Sequence, residues 1–317
     1  MSPPLRVALR ADGGAQIGMG HMVRGGVLAE ALDEAGASTV WLTRTPELVP
    51  DGYSGEVRPI ETADEPLPGD VDIYVGDWKE NDPAVTARIS AHLPLCLIGG
   101  GSDAPCDLRI RQHFDPDAHE PDALYGPDYV ILSKAFSNQP RRRSSQVEAK
   151  RLLVSLGGGR TPVFDEVCAA LARLPGRERM ALDLIGEGQT KPLLEAGFRA
   201  LHHQARSRDM PALMAAADLA VLAGGTTLHE AAASGLPVIC LPLASNQNKR
   251  AAALERLGLG LCVDPDAPDA LRAAVSALAA DAKARAEMSA RGQALIDGRG
   301  AQRCAEAILA LAPRRKA

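Results

Sequence analysis

The sequence predicts an α/β protein of two Rossmann-like domains facing across a cleft. Three observations carry that expectation. Short apolar runs closed by glycine recur along the chain, as parallel strands buried on both faces require. Each half opens on the same unit of strand, glycine-rich loop and helix: 7–10 runs into the loop 11–21, and 152–156 runs into Gly157-Gly158-Gly159. The 317 residues suffice for two full cores, and with 46% hydrophobic but only 3% aromatic residues those cores must be built from Ala, Leu, Val and Ile.

Charge and cysteine usage narrow the function classes. A net charge of −5 and a pI of about 5.8 argue against nucleic acid or an anionic membrane as the main partner. They leave room for a nucleotide, which local N–H groups bind regardless of global charge. The six cysteines are scattered, with no CxxC pair and no zinc-ligand spacing, which fits a reducing cytoplasm. The start, MSPPLRVALR, runs directly into a strand without a signal-peptide pattern, and no apolar run reaches membrane-span length. A cytoplasmic protein with no cofactor, no metal and no membrane span is expected.

In chain order, the first strand at 7–10 opens into a loop that lacks the GxGxxG dinucleotide fingerprint. A helix is expected over 22–35, with Val23, Val27, Leu28, Ala31 and Leu32 on its apolar face, and Gly36 ends it before a strand at 39–42. His21 stands at the head of that helix, where the dipole disfavours imidazolium. A neutral His21 is able to accept a proton, although a histidine packing a helix end accounts for the same position. Strands follow at 71–76 and 95–98, with a helix over 83–92 between them. Their tips, Asp77-Trp78-Lys79 and Gly99-Gly100-Gly101, are site candidates because carboxyl ends of strands line the crevice of open α/β sheets. A turn at 125–129 leads into Val130-Ile131-Leu132.

The polar stretch 137–150, SNQPRRRSSQVEAK, is the linker candidate, and Arg141-Arg142-Arg143 within it reads as a solvated run. The domains are set at 1–140 and 150–317. The second half continues with a helix over 163–174 and a strand at 181–186. Helical pattern fills 268–311, with a break near 297–300, and the last helix is a candidate to cross back to the first domain. Asp115-Pro116-Asp117 and Asp264-Pro265-Asp266 imitate a metal-binding DxD, but the internal proline favours turn chemistry. His202-His203 has no accompanying ligand set.

The stretch 209–247 is the most informative. It reads as helix, buried strand, Gly224-Gly225 turn, helix capped by Thr226 or Thr227, second buried strand and polar loop. Such a strand–glycine–helix junction points several N–H groups at one spot, where a diphosphate binds. Glu230, on the first turn, needs a different partner, and a ribose diol gives two hydroxyls to two carboxylate oxygens. An ordinary βαβ unit whose Glu satisfies the helix dipole is the alternative.

Several pieces then combine in order and spacing: Arg10-Ala11-Asp12, Ile17-Gly18-Met19-Gly20-His21-Met22-Val23-Arg24, Gly126-Pro127-Asp128-Tyr129, Ser155-Leu156-Gly157-Gly158, Gly224-Gly225-Thr226-Thr227-Leu228-His229-Glu230, Asn246-Gln247 and Asp297-Gly298-Arg299-Gly300. With these the chain resembles the sugar-nucleotide hydrolases of pseudaminic acid biosynthesis, which act on UDP-2,4-diacetamido-2,4,6-trideoxy-β-L-altropyranose. That family is similar in turn to the lipid II-forming N-acetylglucosaminyltransferase, a GT-B enzyme. The resemblance implies UDP in the second domain, with Gly225, Thr226 and Thr227 at the diphosphate, Glu230 at the ribose, and Gly157, Gly158 and Gly224 among the substrate-binding residues. It implies His21 as general base, with Asn246 and Gln247 beside sugar and phosphate. Gly18, Gly20, Arg24, Asp77 and Lys79 would line the sugar side. The implied reaction breaks the anomeric C–O bond with inversion and releases UDP without a metal.

Three positions depart from the family. Asp77-Trp78-Lys79 stands where Asp-His-Tyr is usual, Gly99-Gly100 replaces paired aspartates, and Gly25 replaces a cysteine. The sugar-facing half is therefore the less constrained. Hydrolysis of a UDP-linked amino-deoxy sugar is the leading expectation. The alternatives are an inverting GT-B glycosyltransferase with a non-water acceptor and an inactive nucleotide-sugar-binding protein.

Overall fold

The computed structural model describes residues 3–14, 17–62, 67–78, 82–99, 104–115, 123–137, 148–157, 160–207 and 209–311. The chain divides into two units, Met1–Lys134 with Gly298–Ala317, and Ala135–Asp297.

The first unit runs β1 (Arg6–Ala11), α1 (Gly20–Glu34), β2 (Ser38–Thr43), β3 (Glu56–Pro59), β4 (Ile73–Asp77), α2 (Pro83–Ser90), β5 (Leu95–Ile98), β6 (Leu108–Arg111) and β7 (Ala123–Tyr125). Its described strands form one parallel sheet in the order β3-β2-β1-β4-β5-β6-β7. The direction of winding reverses between β1 and β4. Their carboxyl ends, in register at Ala11↔Asp77, therefore frame the crevice where ligands of such sheets bind. Strand residues alternate between two cores. Val7, Leu9, Ile73 and Val75 pack with Leu28 and Leu32 of α1. Ala8, Val40, Leu42 and Leu95 pack with Val85 and Ile89 of α2.

The second unit runs β8 (Arg151–Ser155), α3 (Pro162–Leu171), β9 (Ala181–Ile185), α4 (Lys191–Glu195), β10 (Ala200–Gln204), α5 (Met210–Ala216), β11 (Leu219–Ala223), α6 (Thr227–Ala233), β12 (Val238–Leu241), α7 (Asn248–Arg256), β13 (Gly260–Cys262), α8 (Pro268–Ala280) and α9 (Ala282–Leu295). Its sheet is parallel in the order β10-β9-β8-β11-β12-β13, and the reversal falls between β8 and β11. Leu152, Val154, Leu219 and Val221 build its core with Phe164, Val167 and Leu171 of α3.

The last helix, α10 (Gly300–Leu309), belongs to the first unit. Its Ala301, Cys304, Ala305 and Ile308 complete the core on the α1 side. A Cβ at Gly300 would lie 2.2 Å from the carbonyl oxygen of Val130, so only glycine lets the helix start that close.

Some elements differ from the expectation. The edge strands β3, β6, β7, β10 and β13 and the helix α7 carry no strong apolar pattern. Residues 130–132 are buried without regular structure. The helical tail breaks at Asp281 as well, because its carboxylate caps α9 by accepting from the Ala284 N–H at 2.8 Å. Among the described residues no helix is long and apolar enough to cross a membrane.

Candidate active site

In the first unit the chemistry gathers at the head of α1. His21 and Arg24 are three apart and so share one helix face. Opposite them, the end of β4 presents Asp77, which is only 4% exposed. The Asp77 Oδ1 lies 2.7 Å from His21 Nδ1. Arg24 donates to the same carboxylate through Nε and Nη2, each at 2.6 Å, as a two-pronged fork. Burial works to raise the Asp77 pKa, but the Arg24 charge and the hydrogen bonds from His21 and Arg24 outweigh it, so the carboxyl stays below its ordinary range. Arg24 is opposed by burial in the same way and held in its charged form by Asp77. With Nδ1–H donated to the carboxylate, the His21 tautomer leaves Nε2 as the proton acceptor. Asp77 and Arg24, expected at the substrate, are thus turned toward His21 and each other.

The loop between β1 and α1 is held by a second buried carboxylate. Asp12 accepts from Arg10 Nη2, from the Arg44 N–H and from Arg44 Nε, each at 2.8 Å. Burial opposes its ionisation, yet these donors hold the carboxyl far below the usual range. Gly18, with φ +84°, closes the loop by donating to Gly14 O at 2.7 Å, and Gly20 begins the helix.

Trp78 and Gly25, two of the positions where the resemblance fails, have packing reasons. The Trp78 ring lies back over Gly76, where a Cβ would come within 2.2 Å of it, and meets Tyr74 edge-on at 6.3 Å. The Arg10 guanidinium sits 6.0 Å from the same ring. Trp78 therefore packs against the α2-side core. Gly25 accommodates the Trp41 indole, which a Cβ would approach to 2.8 Å. Gly99 takes φ +65°. Lys79 and Gly100 lie outside the described residues.

In the second unit the site candidates collect at the tips of β8 and β11. Gly157 follows β8 with φ +101°, a conformation that disfavours any side chain; Gly158 lies outside the described residues. Gly224 follows β11, and a Cβ there would lie 2.7 Å from Gln247 Cβ. Gln247 Oε1 accepts from the Gly224 N–H at 3.0 Å and from the Leu243 N–H at 2.9 Å, tying the two strand tips together. Arg250 Nη1 donates to Gly224 O at 2.8 Å. The Gln247 carbonyl, expected beside sugar and phosphate, is thus engaged with backbone. Arg250 was not anticipated; its one signal is a basic residue in the first turn of α7, where the helix dipole disfavours a cation.

Past this clamp the polar groups are uncommitted. Among the described residues, no hydrogen bond engages the N–H groups of Gly225, Thr226 or Thr227. Thr226 occupies the cap position of α6 without its hydroxyl capping the helix. Glu230 accepts no hydrogen bond from the described residues, and burial alone pushes its pKa up to about 7. Asn246 is exposed on the turn Ser245–Gln247.

The remaining candidates resolve into local structure. Asp264 Oδ1 accepts from the Asp266 N–H at 3.0 Å, a side-chain-closed turn. His203 Nε2 lies 2.9 Å from Gly186 O. Asp115 is described, but Pro116 and Asp117 are not.

Comparison with known proteins places this geometry. A profile described as "Glycosyl transferases group 1" matches residues 157–281, the span that holds the second unit's candidates. Across the whole fold, the chain superimposes on MurG of Acinetobacter baumannii with a TM-score of 0.72 at 15% identity, covering 96% of this chain and 99% of that one. The calicheamicin glycosyltransferase CalG4 gives 0.70 at 19% identity, covering 98% of both. The fold is GT-B. In sequence, the GT-B-like chain is 28% identical to the spore coat polysaccharide biosynthesis protein SpsG of Bacillus subtilis, over 93% of this chain and 95% of SpsG. It is 35% identical to a UDP-N-acetylglucosamine–N-acetylmuramyl-(pentapeptide) pyrophosphoryl-undecaprenol N-acetylglucosamine transferase of Methylobacterium radiotolerans, over 53% of this chain and 49% of that one.

Proposed function

We propose that this chain is an inverting glycosyltransferase that takes a UDP-sugar donor and passes the sugar to a non-water acceptor in glycan biosynthesis. The observation that carries the reading is the His21–Asp77 contact at 2.7 Å, with Arg24 holding the carboxylate from behind. An acceptor hydroxyl gives its proton to His21 Nε2 as its oxygen attacks the anomeric carbon. The bond from that carbon to the UDP oxygen breaks on the opposite face, and UDP leaves with the electron pair. The Asp77 carboxylate stabilises the imidazolium that forms. The N–H groups of Gly225, Thr226 and Thr227, which no described residue engages, suit the departing diphosphate, and Glu230 suits the ribose diol.

Hydrolysis, which the sequence resemblance implied, differs only in the acceptor. The matched profile and the Methylobacterium relative carry transferase names, and that weighs for transfer. The test is UDP release from a panel of UDP-sugars, with and without monosaccharide, sugar-phosphate and polyprenyl-linked acceptors. Acceptor-dependent release is expected. Equal release without any acceptor would establish hydrolysis instead. His21→Ala is expected to lower turnover about 10²–10⁴-fold while UDP binds as before; unchanged turnover would remove His21 from the base role.

A further inference from the structure

We propose that Cys240 and Cys262 form a reversible disulfide, a redox-modification site at the edge of the second unit's sheet. An oxidant of the peroxide class closes it and a thiol reductant opens it. The two residues are direct Cα partners on the parallel strands β12 and β13. Neighbouring strands run about 4.8 Å apart, inside the range of about 4.4–6.8 Å that disulfide Cα atoms span. Paired residues also point to the same face, so the thiols are side by side. Cys262 donates to Ala251 O at 3.0 Å.

The two thiols are unequal in a way that suits the chemistry. β13 is the last strand of its sheet, and Cys262 is half-buried there while Cys240 is fully buried. The neighbouring Cys240 thiol lowers the Cys262 pKa, against burial and the Glu255 charge. Burial pushes Cys96, Cys106, Cys168 and Cys304 the other way. Cys262 is therefore the attacking thiolate. Its sulfur attacks one oxygen of hydrogen peroxide and the O–O bond breaks; that oxygen keeps its proton, giving a sulfenic acid, and the other leaves as hydroxide and becomes water with the proton that Cys262 released on ionising. Cys240 then displaces hydroxide from that sulfur. The S–S bond forms, and the hydroxide leaves as a second water with the Cys240 proton. Two thiols are oxidised by two electrons and one peroxide is reduced.

Closure also removes the proton that Cys262 gives to Ala251 O. Ala251 follows Arg250, whose guanidinium holds Gly224 O, so the pair borders the clamp at the β11 tip. The bond itself does not depend on the glycosyltransferase reading and is read without any nucleotide.

The experiment treats the full chain with a small excess of hydrogen peroxide and follows free thiols, intact mass and linked peptides. The expected result is a loss of two of the six thiols, a mass decrease of about 2 Da, one peptide joining Cys240 to Cys262, and full reversal by dithiothreitol. Cys262→Ser should abolish the link, as should the better-tolerated core change Cys240→Ala, whereas Cys106→Ser should leave it intact. A bond between other cysteines, oxygen addition at Cys262 without a bond, or six unreacted thiols would each overturn the proposal.

Discussion

The two sheets reverse direction at equivalent places, β1/β4 and β8/β11, yet they finish those places in opposite ways. At the first, each buried carboxylate is saturated: Asp77 by Arg24 and His21, Asp12 by Arg10 and Arg44. At the second, the neutral amide of Gln247 ties the β11 tip to Leu243 beyond β12, and no described residue engages Glu230 or the N–H groups of Gly225, Thr226 and Thr227. A buried polar cluster that satisfies itself fixes the direction of one group, here the His21 ring. The second cluster is open instead: Thr226 is exposed and Gly225, Thr227 and Glu230 are half-buried, so solvent reaches the groups that no described residue engages.

The sharpest way to break this contrast is Asp77→Ala, which strands the Arg24 charge. A loss of about 3–5 kcal/mol is expected in urea denaturation; a variant as stable as the parent would mean that the cluster is not closed. Glu230 comes next. Its folded value near 7 lies above the ordinary 4.5. The contribution of the protonated carboxyl is thus whole below pH about 4.5 and lost as pH rises through about 7. Discounted for partial exposure, the fall in stability amounts to about 2 kcal/mol. Thermal scans from pH 4 to 8 should show that slope in the parent and a flat profile in Glu230→Gln. UDP binding near pH 6.5 should release more protons from the parent than from Glu230→Gln, measurable by calorimetry in buffers of different ionisation enthalpy. Gln247→Ala opens the clamp and should cost about 1–3 kcal/mol with weaker UDP binding. The smallest effect belongs to Thr226→Ala. Because its hydroxyl caps nothing, stability should shift by less than about 0.5 kcal/mol, where an engaged cap costs about 1. A full cap penalty would show that the second cluster is as closed as the first.

Central elements were legible because a run of consecutive apolar residues closed by glycine admits few other readings, as in β5 and β11. The edges were not. β3 ends in proline and β10 carries two exposed histidines, so their pairing comes from the neighbouring strand and not from their own composition. The same division runs through the site. His21 and Glu230 stood out by their places on first helical turns. The contact between His21 and Asp77 spans 56 residues. It depends on the β1–β4 register, which no local pattern encodes. The Gln247 bonds to Gly224 and Leu243 were equally hidden, because an amide in a polar loop is compatible with either a ligand or a backbone role.

The return of α10 to the first unit has a consequence for synthesis. Residues 1–134 are translated first, but their core lacks Cys304, Ala305 and Ile308 until the second unit has been made. The second unit, continuous from Ala135 to Asp297, emerges entire in the interval. The usual order, in which the leading domain folds first on the ribosome, is therefore inverted. The nascent first unit waits with one apolar face of its sheet uncovered until α10 has been made and packs onto it.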